Sequence, residues 1–553
     1  MAKYTLGIDF GTLSARAVIA NVENGCEMGG AVFEYPHGVM DVCLPDGKPL
    51  PSDWALQHPG DYQLALENVV CGAVRDAGVD QRDIIAIGVD FTASTILPVD
   101  KKMVPLHQKY PERPHAYAKL WKHHAAQKQA DRMTKIAEEM KCDLLDYYGG
   151  KVSSEWTLPK IAQMIEEDER LFDETDLFIE AGDWIVFLLT GNVRKSAMIA
   201  GYKAFYNTEK GYPERAYLKA VHPGMENIFD TKLRGCVYPA GASAGKLTKE
   251  MARKLSLPEG INVAVAAIDA HVSLPAANIT RKGEMLMIMG TSTCHIVLGN
   301  NMKKVQGMCG AVKDQVIDTL SCFEAGQSCV GDMFDWFVKN NFPAEYQEKA
   351  AALGMNRHEY LTHLVKDKKP GETGLVALDW LNGNRSVLVD ADLSGLILGM
   401  TLSTKAEDVY RALIESAAFG TRMIVDTFED AGVEIEKISA SGGISAKNEF
   451  LMQVYADVLK REIRLVRSKQ ACALGSCIYA SVAAGKRNGG YDDIFEASER
   501  MGGKLDKAYR PNPQNSSVYD LIYAEYRRLH EFFGRGGNNV MKRLRSIRKD
   551  IRN

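Results

Sequence analysis

The stretch Gly7-Ile8-Asp9-Phe10-Gly11-Thr12-Leu13-Ser14-Ala15-Arg16-Ala17-Val18-Ile19-Ala20 decides how the chain is read. Tyr4–Phe10 is a short apolar strand that runs into an acid and a glycine-bearing turn. Ser14–Ala20 then resumes as a second strand, so the pair reads as a β-hairpin. Glycine at 7 and 11 lets a ligand approach the backbone, and the turn offers free N–H groups to an anion. The same device recurs at Met285–Thr293, where a strand leads into Gly290-Thr291-Ser292-Thr293 and Cys294–Leu298 resumes it. The echo is physical rather than literal, because no acid stands at 288. Two related α/β halves follow from it.

Further elements fall between and after these hairpins. Residues 59–76 read as a helix, and 84–90 as a strand apolar enough to be buried on both faces, ending in Asp90. Residues 98–117 read as loop. Helical patterns cover 117–139, 157–168 and 182–189. Ile261–Asp269 reads as another buried strand ending in an acid. A long helix is expected over Ala406–Glu429, a strand and tight turn over 438–443, and helices over Asn448–Leu459, Ala471–Ala484 (broken at Gly475) and 516–533.

Composition narrows the class. The 553 residues are 46% hydrophobic and 25% charged, as in globular proteins with large buried cores. The net charge of −4 gives no reason to expect a nucleic-acid partner. Six basic residues close the chain (Lys542, Arg543, Arg545, Arg548, Lys549, Arg552) and read as a solvated helix end. No apolar run reaches the length of a membrane span, and no signal-peptide pattern opens the sequence. The 11 cysteines form no CxxC and several sit in apolar runs, which suits a reducing compartment. The expectation is a cytoplasmic protein with neither nucleic-acid nor membrane partners. A homodimer is compatible with this composition.

Three glycine-bearing turns, 9–12, 290–293 and 441–443, each follow an apolar strand. None is a P-loop or a GxGxxG, but together they suit a nucleoside triphosphate held between two halves. Asp9 beside the first turn is placed to hold Mg²⁺ or its waters, since that ion takes hard oxygen ligands. Asp269 reads either as a helix N-cap or as a general base that takes a proton from an attacking hydroxyl. His271 reads as a structural histidine or as a neighbour tuning that acid. The set His107, His115, His123 and His124 lacks metal-ligand spacing and reads as a polar face. Lys203 and Glu324 are charges in apolar surroundings, either contacts to a polyol or a structural ion pair.

These residues carry a resemblance. GIDFGTLSARAVI (7–19), the strand end at Asp269, MGTSTCHIV (289–297), SGGISAKNEFLMQVYADVL (441–459) and QACALGSCIYA (470–480) together resemble the FGGY family of carbohydrate kinases, over essentially the whole chain and in order. GVDFTASTILPVD (88–100) and PLHQKYPERPHAYAKLWKHH (105–124) resemble the branch that phosphorylates L-ribulose. Xylulokinases and glycerol kinases carry a glutamine-led motif where this chain has Phe91-Thr92-Ala93-Ser94. The resemblance implies two actin-like (ribonuclease H-like) α/β domains flanking a deep catalytic cleft, with inserted subdomains. The N-terminal domain would span 1–265 and the C-terminal domain 266–500, with a helical extension over 501–553. It implies ATP and Mg²⁺, with Asp9 at the metal and Gly11, Thr12 and Arg16 toward the transferring phosphate. Gly290, Thr291 and Ser292 would form a second phosphate loop, and Gly442, Gly443 and Asn448 would lie at the nucleoside. Asp269 would be the base, with Ala93, Lys203 and Glu324 around a small-molecule ketopentose. Transfer to the C5 hydroxyl would give L-ribulose 5-phosphate and ADP, as in L-arabinose degradation. Related kinases of D-ribulose, ribitol or xylulose are the alternatives, and a non-enzymatic actin- or chaperone-like ATPase module is the rival from another class.

Overall fold

The computed structural model describes residues 2–466, 470–503 and 505–552. Two large mixed sheets organise the chain. In the first, the strands run in the order Ser243–Lys246, Asn262–Ala264, Ile84–Phe91, Tyr4–Phe10, Ser14–Asn21 and Glu27–Glu34, and Ala267–Ile268 also pairs with Ile84–Phe91. In the second the order is Gly310–Lys313, Ser321–Gln327, Thr293–Gly299, Glu284–Met289, Lys437–Ser441, Ile463–Val466 and Leu505–Tyr509.

The two sheets share one logic. Each is built on an antiparallel hairpin, 4–21 in one and 284–299 in the other. A parallel strand lies against the hairpin's first arm, Ile84–Phe91 on Tyr4–Phe10 and Lys437–Ser441 on Glu284–Met289. A second parallel strand and then an antiparallel edge follow in both. The central strands are apolar and buried, as a sheet covered on both faces requires. The repetition inferred from two hairpins therefore extends over six strands of each sheet, with Gly310–Lys313 added at the edge of the second and Ala267–Ile268 added to the first.

The Ala471–Ala484 helix packs on the first sheet although it follows the second in sequence, and it joins the same apolar cluster as Leu6, Ile8 and Val89. Its small residues make this possible. A Cβ on Gly475 would stand 1.9 Å from the Val272 carbonyl oxygen, and one on Gly7 would stand 1.9 Å from that of Ala473. The sequence reading broke this helix at Gly475; it is continuous, and the glycine serves close approach to the Asp269–Ala276 helix instead.

Two other expectations change. The helix read over 117–139 begins only at Gln127, because Ala118–Lys119 is drawn into a small four-stranded sheet. His123 and His124 therefore precede that helix rather than lying on it. The strand read over 261–269 is two short pieces, and Asp269 opens a helix. The chain's last helix, Val540–Arg552, leaves Leu544, Ile547 and Ile551 exposed; of Lys549 and Arg552 only the backbone is described.

Gly475→Ala should destabilise the fold by about 1–3 kcal/mol, the cost of overpacking a tight contact. Thermal unfolding checks this; an unchanged midpoint would mean the two helices separate freely.

Candidate active site

Three carboxyls converge at the C-terminal ends of neighbouring strands in the first sheet. Asp9 lies beside Asp90 in the parallel pairing, and Ala267 and Ile268 pair with Asp90 and Phe91, so Asp269 follows directly at the next strand's end. Ligand sites of α/β sheets collect at such strand ends. Asp9 and Asp90 are buried. Across the hairpin, Arg16 pairs with Asp9 in register, its Nε 3.4 Å from Asp9 Oδ2.

This gathering of like charge moves every member. Burial raises the Asp9 carboxyl, and Arg16 offsets part of the rise. Burial and then the charge of Asp9 push the Asp90 carboxyl well above the usual range. Ser476 Oγ donates to its Oδ2 at 2.6 Å, while Oδ1 is buried without a hydrogen-bond partner. Burial and then Asp9 push Asp269 up to about 7. Asp269 is not the N-cap that its position allowed. It is the first helical residue, and its Oδ1 accepts the Ala270 N–H at 2.7 Å.

The first turn is closed within the hairpin and tied down from outside it. Gly11 N–H donates to the Ser14 carbonyl at 3.0 Å. Gln57 Nε2 donates to the Thr12 carbonyl at 2.7 Å and Trp121 Nε1 to Thr12 Oγ1 at 3.2 Å. In the second hairpin, Gly290 N–H donates to the Ser292 carbonyl at 2.9 Å. The Gly290 and Thr291 carbonyls accept N–H groups of residues 330–332, at the start of the Gly331–Asn340 helix. In the third turn Gly442 has φ 103°, and a Cβ there would stand 2.4 Å from the Met289 carbonyl oxygen. Gly443 faces open space. Asn448 is occupied as an N-cap, its Oδ1 accepting the Leu451 N–H at 3.0 Å.

Lys203, Glu324 and His271 form a second charged group. Lys203, in the last turn of the Ala197–Ala204 helix, has its Nζ 3.8 Å from Glu324 Oε2, so the two isolated charges of the sequence form a pair. Burial opposes the Glu324 charge, but Lys203, then His271 and Arg385, outweigh it and hold its carboxyl below the ordinary range. His271 Nε2 lies 3.7 Å from the same Oε2, and burial lowers this imidazole to about 4, so it is neutral. Both charges of the pair act on Asp269, Lys203 lowering and Glu324 raising its carboxyl.

Ala93 sits in the buried loop after Asp90, whose Ser94 has φ 64°. Lys160 holds this loop. Its Nζ donates to the Ser94 carbonyl at 2.6 Å and to that of Leu120 at 2.9 Å, and burial lowers the amine to about 7.

The four histidines go to separate partners: His115 to Glu167, His123 to Gln163, His124 to Ser154, and His107 against the His58 ring. Asp90, Lys160, Gln57 and Arg385 escaped the sequence reading as site residues. For Asp90 the signal was present, an acid ending a buried strand beside the first hairpin. For the others only the tertiary fold shows it.

The chain matches family models for the FGGY family of carbohydrate kinases, the N-terminal domain over residues 4–274 and the C-terminal domain over 285–484. Together these matches span most of the chain, and it belongs to that family: it is a carbohydrate kinase. Among curated relatives, a ribulokinase of Bacillus licheniformis is 51% identical over 539 residues, covering 97% of this chain and 98% of the relative. A ribulokinase of Shouchella clausii is 49% identical over 551 residues, covering 99% and 98%. Among solved structures, a xylulose kinase from Rhodospirillum rubrum superposes with a TM-score of 0.78 at 21% identity, covering 96% of this chain and 98% of that one. A gluconate kinase from Lactobacillus acidophilus gives 0.80 at 16%, covering 97% and 99%. At these identities the structures establish the shared two-domain, actin-like fold.

Lys160→Met would strand the Ser94 and Leu120 carbonyls, at about 1–3 kcal/mol for a buried group left unpaired. Denaturation compared with the parent checks it; equal stability would show that the loop holds itself.

Proposed function

We propose that this kinase transfers the γ-phosphoryl group of ATP to the C5 hydroxyl of L-ribulose, giving L-ribulose 5-phosphate and ADP. The observation that carries the reading is the near-50% identity, over the full length, to relatives named ribulokinase. The departure at Phe91-Thr92-Ala93-Ser94 from the glutamine-led motif of xylulokinases supports the same choice.

In this reading Asp269 is the general base. A carboxyl raised to about 7 by burial and by Asp9 is matched to a proton transfer near neutral pH. As the C5 oxygen attacks phosphorus in line, its proton passes to Asp269, and the bond from phosphorus to the bridging oxygen of ADP breaks. Arg16 and the N–H and hydroxyl groups of Thr12, Thr291 and Ser292 would face the charge that develops on the transferring group, while Gly11 and Gly290, whose N–H groups close their own turns, let the backbone approach it. Gly442, Gly443 and Asn448 border the nucleoside. Asn448 serves there through its backbone position, since its side chain caps a helix. Lys203, Glu324 and Ala93 orient the ketose.

Three gathered carboxyls with one guanidinium, and a buried carboxyl oxygen without a partner, fit a divalent cation. Asp9 would hold Mg²⁺, which when bound neutralises the phosphate charge. The residue roles, the cation and the reaction between two halves meeting near residue 265 stand as parts of this proposal. So does a cytoplasmic site of action; among the described residues no helix is long and apolar enough to cross a membrane.

A coupled ADP-release assay over L-ribulose, D-ribulose, xylulose and ribitol, with and without magnesium, tests the reading. L-Ribulose should give the highest kcat/KM, and a higher value for another acceptor would replace it. Asp269→Asn should lower kcat by about 10²–10⁴-fold, the usual contribution of a positioned base, with ATP affinity kept; a few-fold loss would remove the base role. Because the base acts ionised, kcat/KM for the sugar should rise with pH to a plateau above about 7 and fall about tenfold per unit below it. A flat profile from pH 5.5 to 8 would contradict the assignment.

A further inference from the structure

A second charged pair stands near Lys203 and Glu324, and neither of its members belongs to the machinery assigned above. Arg385 Nη2 lies 3.2 Å from Glu155 Oε2. Glu155 falls within the stretch matched by the N-terminal family domain and Arg385 within that matched by the C-terminal one, so the pair spans the two halves.

Its place beside Glu324 follows from the Ser321–Gln327 strand. Glu324 and Gly326 are two residues apart and point to the same face. The Arg385 stem lies on that face, its Cδ 3.3 Å from where a Cβ of Gly326 would be, so a larger residue at 326 would displace it. The next residue, Ser386, accepts the Gly326 N–H through its Oγ at 3.2 Å. Electrostatics joins the two pairs. Burial opposes the Glu155 charge, but Arg385, then His124, Lys203 and Lys160, outweigh it. Arg385 in turn helps hold Glu324 ionised.

The neighbouring contacts also cross the halves. Lys151 Nζ donates to the Val389 carbonyl at 3.2 Å, and Gly307 N–H donates to that of Gly149 at 3.2 Å. A partly exposed ion pair returns little net stability after screening and desolvation, so stability alone does not account for this one. Its side chains keep 18% (Glu155) and 27% (Arg385) of their surface, against 7% for Glu324 and 10% for Lys203, so it is the more exposed of the two pairs.

We propose that Glu155 and Arg385 are positioning residues for the sugar. Their ion pair brings residues 149–155 of the first half against the second and fixes Glu324 and Lys203, completing the acceptor pocket when the halves meet. This rests on the sugar-kinase reading of the same site.

The test is a double-mutant cycle of Glu155→Gln and Arg385→Met in the full chain. Each single change should raise the KM for L-ribulose about tenfold or more, as misplacement of a bound substrate does, with the ATP KM within about twofold of the parent. The double variant should cost no more than the worse single one, and Arg385→Lys should recover part of the loss. Additive effects, or ATP and sugar KM rising together, would overturn the pairing. Hydrogen exchange of the 150–156 amides gives a readout that needs no substrate. Faster exchange in Arg385→Met is expected, and unchanged exchange would overturn the link between the halves. If the parent phosphorylates no ketopentose, the acceptor reading fails, and the exchange result still decides the pair.

Discussion

The structure turns on the burial of like charge at the ends of three adjacent parallel strands. Asp9, Asp90 and Asp269 meet there, and among the described residues Arg16 makes the one ion pair with them. Each carboxyl is raised by burial, and Asp9 raises the other two. Proteins do not assemble such a cluster for stability, because every ionised member costs desolvation and repels its neighbours. Shifted carboxyls of this kind mark a site whose charge balance is completed from outside the protein. Their graded response also separates them: Asp90 is pushed well above the usual range, whereas Asp269, at about 7, sits where it can give or take a proton near neutral pH.

Around this cluster the fold repeats one solution twice. A hairpin presents a small hydroxyl-bearing turn, a parallel strand supports it, and the second sheet reproduces the order of the first. The supports differ in kind. The first turn is held by side chains from elsewhere, Gln57 and Trp121, while the second is held by backbone groups at the start of a helix. The small-residue helix 471–484 returns from the second sheet to the first and supplies Ser476 to Asp90, so the packing of the C-terminal half reaches directly into the charge cluster.

Much of this was legible in the sequence where the signal is local. Both hairpins, the long helix at 406–430 and the buried strand ending in Asp90 follow from periodicity and turn chemistry. Helix limits failed where a tertiary contact overrides propensity. Residues 118–119 are drawn into a sheet, and Gly475 stays helical because Val272 lies against it. Lys203 and Glu324 were legible as charges needing partners, and they proved to be each other's. Lys160 and Arg385 were not legible. Their roles lie in carbonyls and carboxylates contributed by segments far away in the chain, which no local pattern encodes.

The central claim is that the carboxyl cluster is built to receive a divalent cation together with the nucleotide. Binding of Mn²⁺, as a paramagnetic substitute for Mg²⁺, to the full-length protein with a non-hydrolysable ATP analogue measures this directly. The account predicts one tight Mn²⁺ site in the parent protein, weakened about tenfold or more in Asp9→Asn, as loss of a carboxylate ligand requires. Equal Mn²⁺ affinity in the two proteins would contradict it.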